Sequence, residues 1–245
     1  IAEQEGIDFD LEKRGILHFY HSEYDYKVAT NVNALLCKGG LERHAVTNEE
    51  IKSIEPSLTG EYYGGFYCPG DATGDIHKFT TGLAKATEKY GVKYLFGMEV
   101  VNVEHTANGV NIQYHSSVEN MEGGSVAVEQ LSADAVVICG GVGSYQLANQ
   151  LGDRVNVYPV KGYSITVQLD DEKSINGAPW VSLLDESAKI VTSRLGANRL
   201  RIAGTAEFNG YNRDIRSDRI QPLTDWVNKN FNISTEHCIP WAGLR

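Results

Sequence analysis

Hydrophobic and polar positions follow two different patterns along the chain. β-Branched and aromatic runs at residues 15–20 and in four segments after residue 159 predict strands. Apolar residues at helical spacing predict one helix from Tyr24 and another after the Thr47–Glu50 capping box. A further amphipathic helix is predicted at residues 220–231. These segments predict a domain with a mixed, largely antiparallel sheet plus helices, which comprises residues 1–65 and 159–238.

Residues 66–158 carry the second pattern. A strand ending at Cys68, a polar loop and a helix through Phe79 are followed by a hairpin that Asn108–Gly109 signals. The run Ala135–Cys139 is continuously apolar, which is typical of a parallel strand buried on both faces. We therefore predict an incomplete α/β, Rossmann-like domain with a parallel sheet. It comprises residues 66–158 and 239–245, with a surface loop at residues 116–127.

The predicted fold class is α+β, and the chain resembles a piece of a larger protein. It begins at Ile1 without a secretory leader and stops at Arg245 directly after an apolar stretch. The parallel sheet is then expected to have an open edge, and exposed strand edges pair with other chains. We therefore expect self-association through this sheet edge.

Composition excludes several classes of function. Lys and Arg number 22 against 32 Asp and Glu, a formal net charge of −10, which argues against a nucleic-acid partner. No apolar run approaches the roughly 20 residues of a membrane span. The four cysteines lie far apart without the spacing of metal ligands. We therefore predict no metal site, no transmembrane segment and a reducing, cytoplasmic location.

Few residues have a pattern that points to chemistry, and no catalytic dyad is among them. Gly140–Gly143 lies between a predicted strand and helix but lacks the third glycine of a dinucleotide fingerprint, so a tight turn is favoured. His18 and His21 are three apart on a strand and point to opposite faces, which argues against a shared ligand. Lys161 and Tyr163 follow the change of architecture, where ligand sites concentrate.

Arginines are the other candidates for a binding site. Arg199 and Arg201 share one strand face, and Thr192 and Arg194 alternate likewise on the neighbouring strand. This face is either solvated or lines a pocket for an anionic ligand. Arg245 ends an otherwise apolar strand, and it either pairs with an anion or is a solvated terminus.

Five segments, taken in order, are similar to those of a known family. They are Thr73–Gly74–Asp75, Tyr158–Ser164, Leu184–Glu186, Arg201–Glu207 and Gly243–Arg245. The chain resembles the bacterial D-amino acid dehydrogenase small subunit, within the FAD-dependent D-amino acid oxidase and glycine oxidase superfamily. The resemblance runs from Glu3 to Arg245.

The resemblance implies a two-domain flavoprotein that converts D-amino acids to 2-oxo acids and ammonia. FAD would be the cofactor and a respiratory quinone the electron acceptor. By position, Arg245 matches the arginine that binds the substrate carboxylate, whereas Val100, Gly140 and Gly141 match residues beside the cofactor. The remaining pocket candidates are Lys161, Tyr163, Arg199 and Arg201.

The same resemblance limits what the chain is expected to do alone. The Gly-x-Gly-x-x-Gly turn of this family is not in the sequence, so we expect weak FAD binding and no activity without further chain. The alternatives are a glycine- or sarcosine-oxidase-like amine oxidase and a catalytically silent remnant. A quinone acceptor also favours a peripheral location on the cytoplasmic face of the inner membrane.

Overall fold

The computed structural model describes residues 1–117 and 127–245, which form two compact units. The first unit comprises residues 1–87, 161–207 and 212–243, and the second comprises residues 88–160, 208–211 and 244–245. Within these described ranges, no helix is long and apolar enough to cross a membrane.

The helices and strands follow the predicted periodicity over most of the chain. The helices are α1 (Ala2–Glu5), α2 (Glu23–Lys38), α3 (Asn48–Ile54), α4 (Ile76–Thr87), α5 (Ser144–Gln150), α6 (Glu172–Gly177) and α7 (Ser217–Asn230). The strands are β1 (Ile16–Tyr20), β2 (His44–Val46), β3 (Gly64–Cys68), β4 (Met98–Thr106), β5 (Gly109–Ser116), β6 (Glu129–Ala133), β7 (Lys161–Gln168), β8 (Ser182–Asp185), β9 (Ile190–Arg194), β10 (Arg199–Glu207) and β11 (Ile239–Leu244).

The first unit is built on an eight-stranded mixed sheet in the order β11-β7-β10-β9-β8-β1-β3-β2. β1 is parallel to β8, whereas β1 and β3, β2 and β3, β8 and β9, β9 and β10, and β7 and β10 are antiparallel. This confirms the mixed, largely antiparallel sheet. One face carries the core, where strand residues such as Leu183 and Ile202 pack with Leu223 and Val227 of α7.

Local signals fix the helix ends in this unit. Thr47 Oγ1 accepts from the Glu50 amide, and the Glu50 carboxylate accepts from the Thr47 amide, which confirms the predicted capping box. The helix stops before Pro56, as expected for a residue that precedes proline.

Among its described residues, the second unit has a three-stranded antiparallel sheet, β4-β5-β6, and not the predicted parallel sheet. The Asn108–Gly109 hairpin between β4 and β5 is confirmed. Residues 135–139, for which the sequence predicts a strand, pair with no strand among the described residues, and Val137 is 85% exposed. An apolar run forms a ladder only where a neighbouring strand supplies its hydrogen-bond partners. Of the predicted loop at residues 116–127, residues 118–126 lie outside the described ranges.

The boundaries of the compact units also differ from the predicted domain boundaries. β3 pairs with β1 and β2, so it belongs to the large sheet, and α4 lies in the same unit. Residues 66–87 and 239–243 are therefore in the first unit, because pairing across the sheet overrides the similarity of this stretch to a β-α-β unit. The substrate-binding and FAD-binding roles of the two units stay predictions.

Candidate functional site

The face of the large sheet opposite the core carries a group of polar side chains on β7, β9 and β10. Alternation along β10 directs Arg199 and Arg201 away from buried Leu200 and Ile202. The strand register sets Ser193 of β9 and Thr166 of β7 on either side of Arg201. We call this surface, which comprises Ser164, Thr166, Ser193, Arg199 and Arg201, the polar face.

Arg199 on the polar face is neutralised by two carboxylates. Its Nη2 atom lies 3.2 Å from Asp10 Oδ2 and 2.8 Å from Asp75 Oδ2. Asp75 also accepts from the backbone amides of His77 and Lys78 at the start of α4. Although burial opposes ionisation, Arg199 and these amides hold the pKa of Asp75 below its usual value. Arg199 therefore fastens α4 and the N-terminal segment to the sheet.

Arg201 has a different environment. Its Nε and Nη2 atoms lie 3.4 Å from Ser164 Oγ, at the long limit of a hydrogen bond, and its guanidinium lies 5.5 Å from the Trp241 ring centre. Within the described part of the chain, no carboxylate lies within ion-pair distance of it. It lines a cavity of about 270 Å³ together with Arg199, Ser193 and His77. A half-buried guanidinium in such a cavity can bind a ligand carboxylate through two parallel hydrogen bonds.

Lys161 and Tyr163 lie in a buried hydrogen-bond network. Lys161 Nζ donates to Glu207 Oε2 at 2.8 Å, to Asn212 Oδ1 at 2.9 Å and to the Asp214 carbonyl oxygen at 2.9 Å. Tyr163 Oη donates to the same Glu207 oxygen at 2.5 Å. An ammonium has three donors, so Lys161 has none left for a ligand in this arrangement. Its role as a pocket residue stays a prediction, and the geometry favours positioning over contact.

Glu207 is the centre of this network. Besides Lys161 and Tyr163, Arg216 Nη1 lies 2.9 Å from Glu207 Oε1. Hydrogen bonds from Lys161 and Tyr163 lower the pKa of Glu207 to about 2. The network joins the start of β7 to the end of β10. Sequence reasoning did not single out Glu207, although an acidic residue at the end of a largely apolar strand was a signal for it.

Arg194 lies on the other side of the sheet from the predicted location. The register pairs Arg201 with Ser193 and Ile202 with Thr192, so Thr192 and Arg194 point to the core face and are not solvated. The Arg194 side chain is 1% exposed and lies 4.2 Å from the Trp180 ring centre. Its guanidinium donates five hydrogen bonds to the carbonyl oxygens of Ile175, Ala178, Gly196 and Ala197.

A buried carboxylate, Asp185, ends β8. Its Oδ2 atom accepts from Trp226 Nε1 at 2.8 Å and lies 3.0 Å from His21 Nε2. Its Oδ1 atom accepts from the backbone amides of Ser187 and Ala188. Burial opposes ionisation, but these donors keep the pKa of Asp185 below its usual value. His21 is therefore a partner of Asp185, whereas His18 Nδ1 lies 3.4 Å from Glu186 Oε1.

The predicted carboxylate anchor, Arg245, is exposed. Its backbone amide and carbonyl bond the carbonyl and amide of Val160 at 2.9 and 3.0 Å, so the chain end is held in an extended pairing. Among the described residues, its guanidinium has no hydrogen bond or ion pair. Nothing in this geometry commits the side chain elsewhere, and its role stays a prediction.

The residues predicted to lie beside the cofactor are in the second unit. Gln150 of α5 accepts from the Val103 amide and donates to the Val101 carbonyl, which holds the Gly140–Gly143 turn and its helix against β4. Val100 in β4 is 41% exposed, and a Cβ added at Gly141 would meet no atom within 4 Å. Both positions are therefore open to a ligand, and their roles beside FAD stay predictions. The sequence contains no glycine-rich turn for the diphosphate.

The amino-acid sequence matches one protein family and several named bacterial proteins. The family model described as FAD dependent oxidoreductase matches residues 1–245. D-amino acid dehydrogenase 3 of Mesorhizobium japonicum is 52% identical over the whole chain, and D-amino acid dehydrogenase of Dechloromonas aromatica is 39% identical over the whole chain. The chain spans 58% and 57% of the length of these two relatives.

Solved structures share the fold. Glycine oxidase from Geobacillus kaustophilus superposes with a TM-score of 0.82 at 21% identity, covering 100% of this chain and 62% of that one. L-proline dehydrogenase from P. horikoshii superposes with a TM-score of 0.80 at 17% identity, covering 99% of this chain and 62% of that one. With the family match over the full length, these results show that the chain belongs to the FAD-dependent oxidoreductases of the D-amino acid oxidase family.

Proposed function

We propose that this chain is part of an enzyme that oxidatively deaminates D-amino acids to 2-oxo acids and ammonia. The observation that carries the proposal is the 52% identity, over the whole chain, to a protein named D-amino acid dehydrogenase. The polar face supports it, since Arg201 lines a cavity without a carboxylate partner among the described residues.

In this proposal Arg245 binds the substrate carboxylate, and Arg201 on the polar face is the alternative candidate for the same role. Arginine suits this role because its planar fork matches both carboxylate oxygens. Lys161 and Tyr163 act through Glu207, by fixing the ends of β7 and β10. Arg199 holds α4 in place through Asp75, and its place in the pocket stays a prediction.

FAD, when bound, supplies the two-electron oxidation of the amine. The backbone of Val100 would contact its adenine, and Gly140 and Gly141 would form a turn that passes close to the cofactor. We place a respiratory quinone as the final acceptor and the protein in the cytoplasm or peripherally on the inner membrane. The sequence lacks a diphosphate-binding turn, so the chain purified by itself should be colourless.

The chain should also self-associate in its isolated form. Val137 is 85% exposed, and residues 135–139 offer unpaired backbone groups among the described residues. Gel filtration with light scattering would contradict this expectation if the chain stayed a monodisperse monomer at high concentration.

Steady-state kinetics of the complete flavoprotein test the assignment of Arg245. Arg245→Lys keeps the charge but loses the fork, so KM for D-alanine should rise strongly and kcat should fall because the α-carbon is misaligned. The control is an amine without a carboxylate, on which wild type and variant should be alike. Equal losses on both substrates would make Arg245 structural.

The same assay separates the alternatives. A turnover that is faster with glycine or sarcosine than with D-alanine would replace the proposal by an amine oxidase of that type. A complete, flavin-loaded protein without turnover on any of them would indicate a catalytically silent remnant.

A further inference from the structure

A second cavity lies between α2 and the large sheet, away from the Arg201 cavity. Its volume is about 570 Å³. One wall is an apolar stripe on α2, because Val28, Val32 and Leu36 recur every fourth residue and all three line the cavity. Half of the Val32 side chain is exposed even though α2 has a sheet beneath it. The cavity therefore has room and an apolar wall for a small ligand.

The opposite wall contains an under-bonded cation, Arg43. Its side chain is only 7% exposed. Nη2 is 3.5 Å from Tyr20 Oη, the guanidinium stacks 4.7 Å from the Phe66 ring centre, and Nε has no hydrogen-bond partner. No carboxylate forms an ion pair with it among the described residues. A guanidinium has five donors, and a buried cation is costly without an anion.

The other charged groups around the cavity are largely committed to partners. Glu186 pairs with Lys189 at 2.9 Å and lies 3.4 Å from His18 Nδ1, and Asp25 accepts from Ser22 Oγ. Burial and the positive charge of Arg43 lower the pKa of His18, which favours the neutral imidazole. Arg43 is therefore the cation that we expect an anionic ligand to bind. Asp25 and Asp71 are the lining carboxylates that form no ion pair among the described residues, and of the two only Asp25 accepts a hydrogen bond from a hydroxyl, that of Ser22.

We propose that this cavity binds a small carboxylate with an apolar tail. The carboxylate would accept hydrogen bonds from Arg43, and the tail would lie along Val28, Val32 and Leu36 of α2. An alkanoic acid and an apolar α-amino acid both have this chemistry. The amino acid would in addition place its ammonium beside Asp71. The inference concerns binding and does not depend on the proposed enzymatic function.

Isothermal titration of the full chain with hexanoate tests the proposal. Hexanol has the same tail without the charge, and acetate has the charge without the tail. We expect hexanoate to bind in the millimolar range or tighter, with both partial ligands about tenfold weaker or more. The absence of saturable binding of hexanoate to the folded chain would overturn the proposal.

Three variants locate the site. Arg43→Gln should weaken hexanoate binding about tenfold or more, which corresponds to the loss of one charge-assisted contact. Val32→Gln should weaken it several-fold without a risk to the core, because Val32 is partly exposed. Leu35→Gln is the matched control, since Leu35 is on the same helix, is 70% exposed and does not line the cavity. Equal affinities of Val32→Gln and Leu35→Gln would place the ligand elsewhere.

Two further titrations identify the kind of carboxylate. D-leucine that binds more tightly than hexanoate, and loses this advantage in Asp71→Asn, would assign the cavity to an α-amino acid. Hexanoate that binds more tightly than leucine would assign it to an alkanoic acid. Either result supports a carboxylate site at Arg43, provided that Arg43→Gln weakens it.

Discussion

Replacement of Arg194 should destabilise the first unit, although an arginine in a core is itself costly to bury. Arg194→Met keeps the apolar length of the side chain and its packing against Trp180, but removes five hydrogen bonds to four carbonyl oxygens. Bonds from a charged donor are worth about 1.5–3 kcal/mol each, and a buried acceptor left without a donor costs about 1–3 kcal/mol. The desolvation of the guanidinium, which is several kcal/mol, is recovered in the variant.

The balance favours the arginine because its four carbonyl partners stay in place. We expect the free energy of unfolding to fall by about 3 kcal/mol. Urea denaturation followed by far-ultraviolet circular dichroism measures this free energy. Tryptophan fluorescence is unsuitable as the signal, because the substitution beside Trp180 would itself change the fluorescence. Arg213→Met, at an exposed position, is the control and should stay within about 0.5 kcal/mol of wild type. A loss below about 1 kcal/mol for Arg194→Met would refute the account.

Three further variants test the other parts of the structure. The pKa of Glu207 is lowered from 4.5 to about 2, so its ionised form stabilises the fold above pH 4.5, and this contribution is lost as the pH falls towards 2. In Glu207→Gln, the free energy of unfolding should therefore fall less steeply between pH 4.5 and pH 2 than in wild type, as measured by unfolding curves across that range. A Cβ at Gly65 would lie 2.6 Å from a backbone oxygen, whereas a Cβ at Gly70 would meet nothing within 4 Å. Gly65→Ala should therefore lower the free energy of unfolding by about 1–3 kcal/mol, as measured by thermal denaturation, and the control Gly70→Ala should leave it unchanged. Asp185→Asn removes the charge on the acceptor of the Trp226 hydrogen bond, so the free energy of unfolding measured in urea should fall by about 2 kcal/mol. An unchanged free energy of unfolding at pH 7 would mean that the charge of this carboxylate does not stabilise the fold.

Several elements could be predicted because they depend on neighbours in the sequence. The Thr47–Glu50 capping box and the Asn108–Gly109 hairpin are both present as predicted. In each, the hydrogen-bond partners lie within a few residues, so the sequence alone specifies them. The family assignment has the same origin, since it depends on ordered segments of sequence and not on packing.

Which strands pair, and which face of a strand is covered, was decided only by tertiary contacts. Period-two alternation shows that Arg199 shares a face with Arg201 and that Thr192 shares one with Arg194. The register that pairs Arg201 with Ser193 is what sends the two sets to opposite faces, because a shift of one residue exchanges the faces. Residues 135–139 show the same limit, since their apolar run is strand-like but pairs with no described strand. The sequence by itself determined local elements and family, whereas non-local pairing separated the buried Arg194 from Arg201 on the polar face.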